Sequence, residues 1–119
     1  MNLDKLFLFW AKFLKKHTNF MVWSADRLDT IIKENPKLII IFWHPLCDAC
    51  KKIMFKIPLI YPYYKFKGYT LKFSNVKENC ASCIEKCNIH VVPTMVVYEN
   101  GKEIKRYEDD KVLENLFKV

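Results

Sequence analysis

Leu38-Ile39-Ile40-Ile41-Phe42-Trp43-His44-Pro45-Leu46-Cys47-Asp48-Ala49-Cys50-Lys51 is the stretch from which the fold can be read. Its first six residues are apolar and rich in β-branched Ile, the composition of a strand covered on both faces, as in the parallel part of an α/β sheet. The C-x-x-C then falls where the carboxyl end of that strand meets the next helix. A cysteine placed there lies near unpaired N–H groups and the positive end of the helix dipole, and both favour thiolate over thiol. Lys51 and Lys52 add to that field.

Working outward from this stretch, Asn35-Pro36 ends the preceding helix, because proline cannot continue a helix and disfavours helical geometry in the residue before it. Ser24 is a candidate N-cap for that helix, and Phe20-Met21-Val22-Trp23 a short strand ahead of it. Beyond Cys50 the helix runs on through Ile53, Met54, Ile57 and Ile60, with a kink expected at Pro58 and an end at Pro62. Tyr69 to Phe73 alternates like a strand, and Asn79 to Cys87 reads as a short helix. Ile89-His90-Val91-Val92-Pro93-Thr94 is a break before the strand Met95 to Tyr98. Asn100-Gly101 is a strong hairpin signal, with Glu103 to Tyr107 as the returning strand. Asp109 or Asp110 can cap a last helix striped with Val112, Leu113, Leu116 and Phe117.

The chain of 119 residues is long enough for a real core in one domain. Two glycines leave tight turns to Asn, Asp and Pro. Five cysteines, an odd number, argue against a secreted disulfide scaffold and for a working thiol pair in a reduced compartment. The expected location is therefore cytoplasmic. The formal net charge of +7 makes anionic partners plausible without naming one. Seven lysines and no acid lie between Lys51 and Lys77, interleaved with Tyr61, Tyr63, Tyr64, Phe66 and Tyr69. No nucleic-acid module accompanies them, so a solvated lysine face is expected rather than nucleic-acid binding.

Three separated segments resemble the thioredoxin family. Phe42-Trp43 with Cys47-Asp48-Ala49-Cys50-Lys51 is similar to its active-site segment, Val92-Pro93-Thr94 to its cis-proline loop, and Tyr98-Glu99-Asn100-Gly101-Lys102 to the hairpin after it. The resemblance covers about residues 20–119. It implies a thioredoxin fold, a central mixed sheet flanked by helices, with residues 1–19 as an amino-terminal helical extension. It implies thiol–disulfide exchange on protein disulfides, in the reducing direction, with Cys47 attacking and Cys50 resolving. Trp43, Val92, Pro93 and Thr94 would contact substrate, with Pro93 in the cis form. An electron donor such as a thioredoxin reductase or the glutathione system is implied, and no cofactor or metal beyond the redox-active disulfide. A thioredoxin-like binding module without catalysis, its cysteines vestigial or holding zinc, is the competing reading.

The chain departs from the family pattern at informative places. Leu46 stands where the family has Trp, and Asp48-Ala49 where it has Gly-Pro. Asp48 is expected to oppose the field that favours a thiolate on Cys47, which argues for a reductant. Ile41 stands where the family keeps a buried Asp. His44 is the nearest titratable substitute, and a loop histidine without a catalytic part is the plainer alternative. Cys80, Cys83 and Cys87 fall at i, i+3 and i+7, on one helical face. They would fill a helix–sheet interface, or Cys80 and Cys83 would form a second redox pair, as regulatory cysteines do in some animal thioredoxins that resemble this chain. With Cys47 and Cys50 the latter two would also make four thiolates, the count of a structural zinc site, though at unsuitable spacing.

At the amino terminus Leu3, Leu6, Phe7, Trp10, Phe13 and Leu14 recur at helical spacing beside Lys5, Lys12, Lys15 and Lys16. The apolar run is too short to span a bilayer and makes a poor secretory signal. A helix packed on the domain is the expectation. Peripheral contact of residues 1–18 with a membrane surface, and hence membrane association, is the alternative.

Overall fold

The computed structural model describes Lys5, Phe9, Met21, Val22 and residues 25–77 and 87–119. Met21–Val22 (β1) leads to the helix Ala25–Glu34 (α1), then to Lys37–Trp43 (β2) and the helices Asp48–Phe55 (α2) and Ile57–Phe66 (α3). Thr70–Asn75 (β3), Thr94–Glu99 (β4), Lys102–Glu108 (β5) and the helix Asp110–Asn115 (α4) complete the order. The five strands form one mixed sheet in the order β1-β3-β2-β4-β5. β1 and β2 run parallel to β3, and β4 is antiparallel to both β2 and β5.

The apolar run of β2 is explained by what lies on each side of it. Ile39, Ile41 and Trp43 join Leu71, Phe73, Met95 and Val97 under Cys50, Ile53 and Met54 of α2, Ile57, Ile60 and Tyr64 of α3 and Val112 of α4. Leu38, Ile40 and Phe42 point the other way, packing with Ile31 of α1, Cys87, Ile89, Val96 and Tyr98. Strand alternation therefore needs apolar residues at every position, not every second one. Each such side chain removed from water contributes about 1.5–3 kcal/mol to the core.

The shortage of glycine is met as composition requires. Asn88, Asn100 and Asp109 all adopt positive φ, the left-handed conformation that Asn and Asp tolerate best after glycine. Asn100 and Gly101, at φ 53° and 82°, form the two-residue turn of the β4–β5 hairpin, and the Asn100 amide donates to the Pro36 carbonyl at 2.7 Å.

The helical region after Cys50 differs from the sequence expectation. It is two helices, broken at Lys56 (φ −89°, ψ 1°). Pro58 lies in the first turn of α3, where its missing N–H costs nothing, and the interruption two residues before it is the kink expected there, carried to a full break. Pro62 lies inside α3 and does not end it. Burial of Ile57, Ile60 and Tyr64 holds that helix, and the Tyr64 hydroxyl donates to the Leu116 carbonyl. Neither Asp109 nor Asp110 caps α4 through its side chain: the N-cap residue Asp109, at φ 56°, makes no side-chain cap bond. Its backbone N–H instead donates to the Pro93 carbonyl at 2.8 Å. The Ser24 cap, the amino-terminal helix and most of the Asn79–Cys87 helix lie outside the described residues.

Candidate functional site

β2 ends at Trp43, and four residues later Cys47 is the N-cap of α2, with extended backbone (φ −89°, ψ 116°). Its sulfur accepts the Cys50 N–H at 3.2 Å, so one of the helix's unpaired donors is aimed at the place where thiolate charge forms. A turn in which the Cys47 amide donates to the His44 carbonyl at 3.1 Å sets this entry. His44 Nδ1 accepts the Leu46 N–H at 3.0 Å, which places the ring proton on Nε2 and ties the imidazole to the loop backbone. His44 thus helps to shape the turn.

Cys50 has none of that access. It is fully buried in the α2-side core beside Ile41, Trp43 and Ile53. Burial first, and the Cys47 sulfur second, push its thiol far up from the usual cysteine value, with the His44 backbone pulling weakly the other way. The pair is therefore asymmetric: a partly exposed sulfur with an N–H pointed at it, and a buried one held as the thiol. Ile41, wholly buried, lines the core where the resemblance led one to look for an acid.

The loop before β4 faces the pair. The Val92–Pro93 peptide bond is cis, and the Cys47 thiol donates to the Val92 carbonyl at 3.7 Å. Val92 is half-buried, while Pro93 and Thr94 are buried. The Thr94 hydroxyl donates to the Val91 carbonyl at 2.6 Å, so it holds the loop from behind and presents no surface to a substrate. Trp43 is 3% exposed and belongs to the core below the site, not to a contact surface. The burial of both follows from β alternation inside a covered sheet, which a motif match does not reveal.

Asp48 is 93% exposed, with its carboxylate 3.8 Å from the Lys51 ammonium. It faces solvent and Lys51, which weakens the opposition to Cys47 that its sequence position suggested. Leu46, directly before Cys47, is 80% exposed. Its place directly before Cys47 is the signal for it that the sequence offers.

Cys80 and Cys83 lie outside the described residues. Cys87 is buried on the opposite face of the sheet from Cys50, so those two thiols do not meet. Among the described residues, no three His, Cys, Asp or Glu side chains gather to hold a metal. No described helix is long and apolar enough to cross a membrane.

A family model described as thioredoxin matches residues 19–119. Over 88 residues the chain is 33% identical to thioredoxin 1 of Plasmodium falciparum (isolate 3D7), spanning 71% of this chain and 78% of that protein. Among solved structures it is similar to a Plasmodium falciparum thioredoxin, at 27% identity and a TM-score of 0.66, covering 82% of this chain and 94% of the other. It also matches oxidised mitochondrial thioredoxin 3 from Saccharomyces cerevisiae at 24% identity and a TM-score of 0.67, with 82% and 92% covered, a likeness of fold alone.

Proposed function

The chain belongs to the thioredoxin family, whose members are thiol–disulfide oxidoreductases, and on that premise we propose that it reduces disulfides in protein substrates, with Cys47 attacking and Cys50 resolving. The observation that carries this reading is the asymmetry of the pair: Cys47 partly exposed at a helix N-terminus with an amide 3.2 Å from its sulfur, Cys50 buried behind it.

The Cys47 thiolate attacks one sulfur of the client disulfide. That S–S bond breaks, a mixed disulfide forms, and the departing client sulfur takes a proton. Cys50 then loses its proton and attacks the Cys47 sulfur, closing the Cys47–Cys50 disulfide and releasing the second client thiol. The client gains two electrons and two protons, and the pair loses them. An external dithiol or thiol donor, a thioredoxin reductase or the glutathione system, resets the pair. The Val92 carbonyl beside Cys47 is suited to pair with the backbone of an extended client segment, and Leu46 supplies the apolar contact.

The reducing direction is supported by how modest the support for a Cys47 thiolate is: one amide and an eight-residue helix. Strong oxidants need a heavily stabilised reduced form. The test is trapping. Cys50→Ser, mixed with a disulfide-containing client, should accumulate a covalent adduct at Cys47, visible by non-reducing mass analysis and released by dithiothreitol, while Cys47→Ser forms none. Adduct formation in Cys47→Ser and not in Cys50→Ser would reverse the roles.

A further inference from the structure

Helix α3 is apolar on two sides. At about 100° per residue, Ile57, Ile60 and Tyr64 share the face turned to the sheet, where all three are buried. Leu59, Pro62 and Phe66 share the opposite face, with half-buried Tyr63 on its flank. There Leu59 is 64% and Phe66 91% exposed, and the Tyr63 ring stacks edge-on against Phe117, itself 45% exposed, at 5.2 Å. A helix with a second apolar stripe on its outer side calls for cover on that side. Exposed Lys56 and Lys67 lie along one edge of the stripe and exposed Lys65 along the other. The sequence from Lys51 to Lys77 holds no acid to offset them.

We propose that this face docks on an anionic lipid surface, with Leu59 and Phe66 entering the headgroup boundary and Lys56, Lys65 and Lys67 meeting the lipid phosphates and carboxylates. A convex helix face with projecting apolar side chains fits a flat, deformable partner, and aromatic or Leu anchors flanked by lysines combine apolar burial with attraction to anionic headgroups. The sign of the charge gives no complement in the chain's own amino-terminal segment, where Lys5, Lys12, Lys15 and Lys16 outnumber Asp4. It also opposes a second copy of a chain with net charge +7.

The placement is compatible with redox work. Lys37, at the start of β2, donates to the Lys67 carbonyl at 3.2 Å, so the Phe66 end of α3 lies beside the amino-terminal end of that strand. Cys47 follows its carboxyl end, and seven residues of strand separate the two ends by about 20 Å. A molecule seated by Phe66 keeps Cys47 off the lipid and open to clients.

The test is flotation of the full chain with vesicles of phosphatidylcholine mixed with phosphatidylserine, and with vesicles of phosphatidylcholine alone. Binding is expected to the mixed vesicles only, and to fall as salt is raised. Leu59→Ser with Phe66→Ser should lower the bound fraction's partition constant roughly tenfold, as should Lys56→Gln with Lys67→Gln. All these residues are on the surface, so reduction of a soluble disulfide client should stay at the parent rate and report an intact fold. The proposal is overturned if the full chain ignores mixed vesicles, if the Leu59/Phe66 variant floats like the parent, which would assign binding to another segment, or if light scattering shows those substitutions dissolving a dimer. Capture of a single-stranded oligonucleotide without vesicle binding overturns it as well.

Discussion

Cys50 and Cys87 are both buried against the central sheet, one on the side of Ile39, Ile41 and Trp43, the other on the side of Leu38, Ile40 and Phe42. Their surroundings differ in kind. Cys50 sits one helical turn behind a partly exposed sulfur whose position is fixed by a backbone N–H. Cys87 sits beside Tyr98 and Arg106, and the guanidinium is occupied: it donates to the carbonyls of Cys87 and Asn88 at 2.7 and 3.0 Å and to both carboxylate oxygens of Glu103. Burial raises the Cys87 thiol even though the Tyr98 hydroxyl and Arg106 pull it back down. One sheet thus keeps a thiol pair at a helix entrance and a single thiol inside a polar clasp that joins β5 to the loop before Ile89. Reactivity is decided by what surrounds the sulfur, a helix N–H at Cys47 and the Tyr98 hydroxyl and Arg106 at Cys87, and by access from solvent.

The largest effect to be expected from this contrast is in turnover. Cys47→Ser should lower reduction of an insulin-type disulfide client, with dithiothreitol as donor, by roughly a thousandfold or more, because the hydroxyl is no nucleophile at neutral pH. Cys87→Ser should leave the rate within about twofold, since its thiol is buried on the face of the sheet opposite Cys50. A comparable collapse in Cys87→Ser would erase the distinction and make both faces part of one relay.

A smaller effect separates the two thiols by pH. Both are raised in the folded chain from an ordinary value of 9.0, so below pH 9 both states hold the proton and the full stability is present. Above it the unfolded chain releases protons that the folded chain keeps, and stability falls as pH rises, by up to ~1.4 kcal/mol per pH unit for each buried thiol. Tyr64 and Tyr98, also raised by burial from 10.0, add to the fall at still higher pH. Urea midpoints taken in reductant at stepped alkaline pH should drop in the parent chain and drop less steeply in Cys50→Ala and Cys87→Ala. Parallel slopes in all three would mean that neither thiol is held in its protonated form by the fold.

How legible each corner was in sequence follows from how local its causes are. β2, the cysteines at the start of α2 and the Asn100-Gly101 hairpin could be read because a run of Ile, a C-x-x-C spacing and a turn dipeptide act within a few residues. The split at Lys56 could be read in part, because Pro58 stands two residues on and has no N–H to give the Met54 carbonyl, which takes the Lys56 N–H instead. Pro62 inside α3 is a case of burial overriding a local penalty. Trp43 and Thr94 were placed at the client surface by resemblance, and the pleat of a sheet covered on both faces puts them inside. Asp109 holds the N-cap position of α4 that the sequence allows it, but through its backbone N–H on the Pro93 carbonyl and not through its side chain, a long-range tie that no local pattern reveals.

The smallest effect concerns Asp48, and it sharpens what surrounds the reactive sulfur. From its position next to Cys47 the carboxylate is expected to restrain the thiolate, but it is almost wholly in solvent and 3.8 Å from Lys51, whose own side chain is 19% exposed. An exposed charge with a counter-ion beside it projects little field through water and salt. Asp48→Asn should therefore raise the iodoacetamide alkylation rate of Cys47 at neutral pH by less than about twofold. Lys51→Gln should lower it by a similar factor, and the double variant should return near the parent value, because the two charges largely cancel at the sulfur. A rise of tenfold or more in Asp48→Asn would instead make that one carboxylate, and not the helix N–H on the sulfur, the control on Cys47.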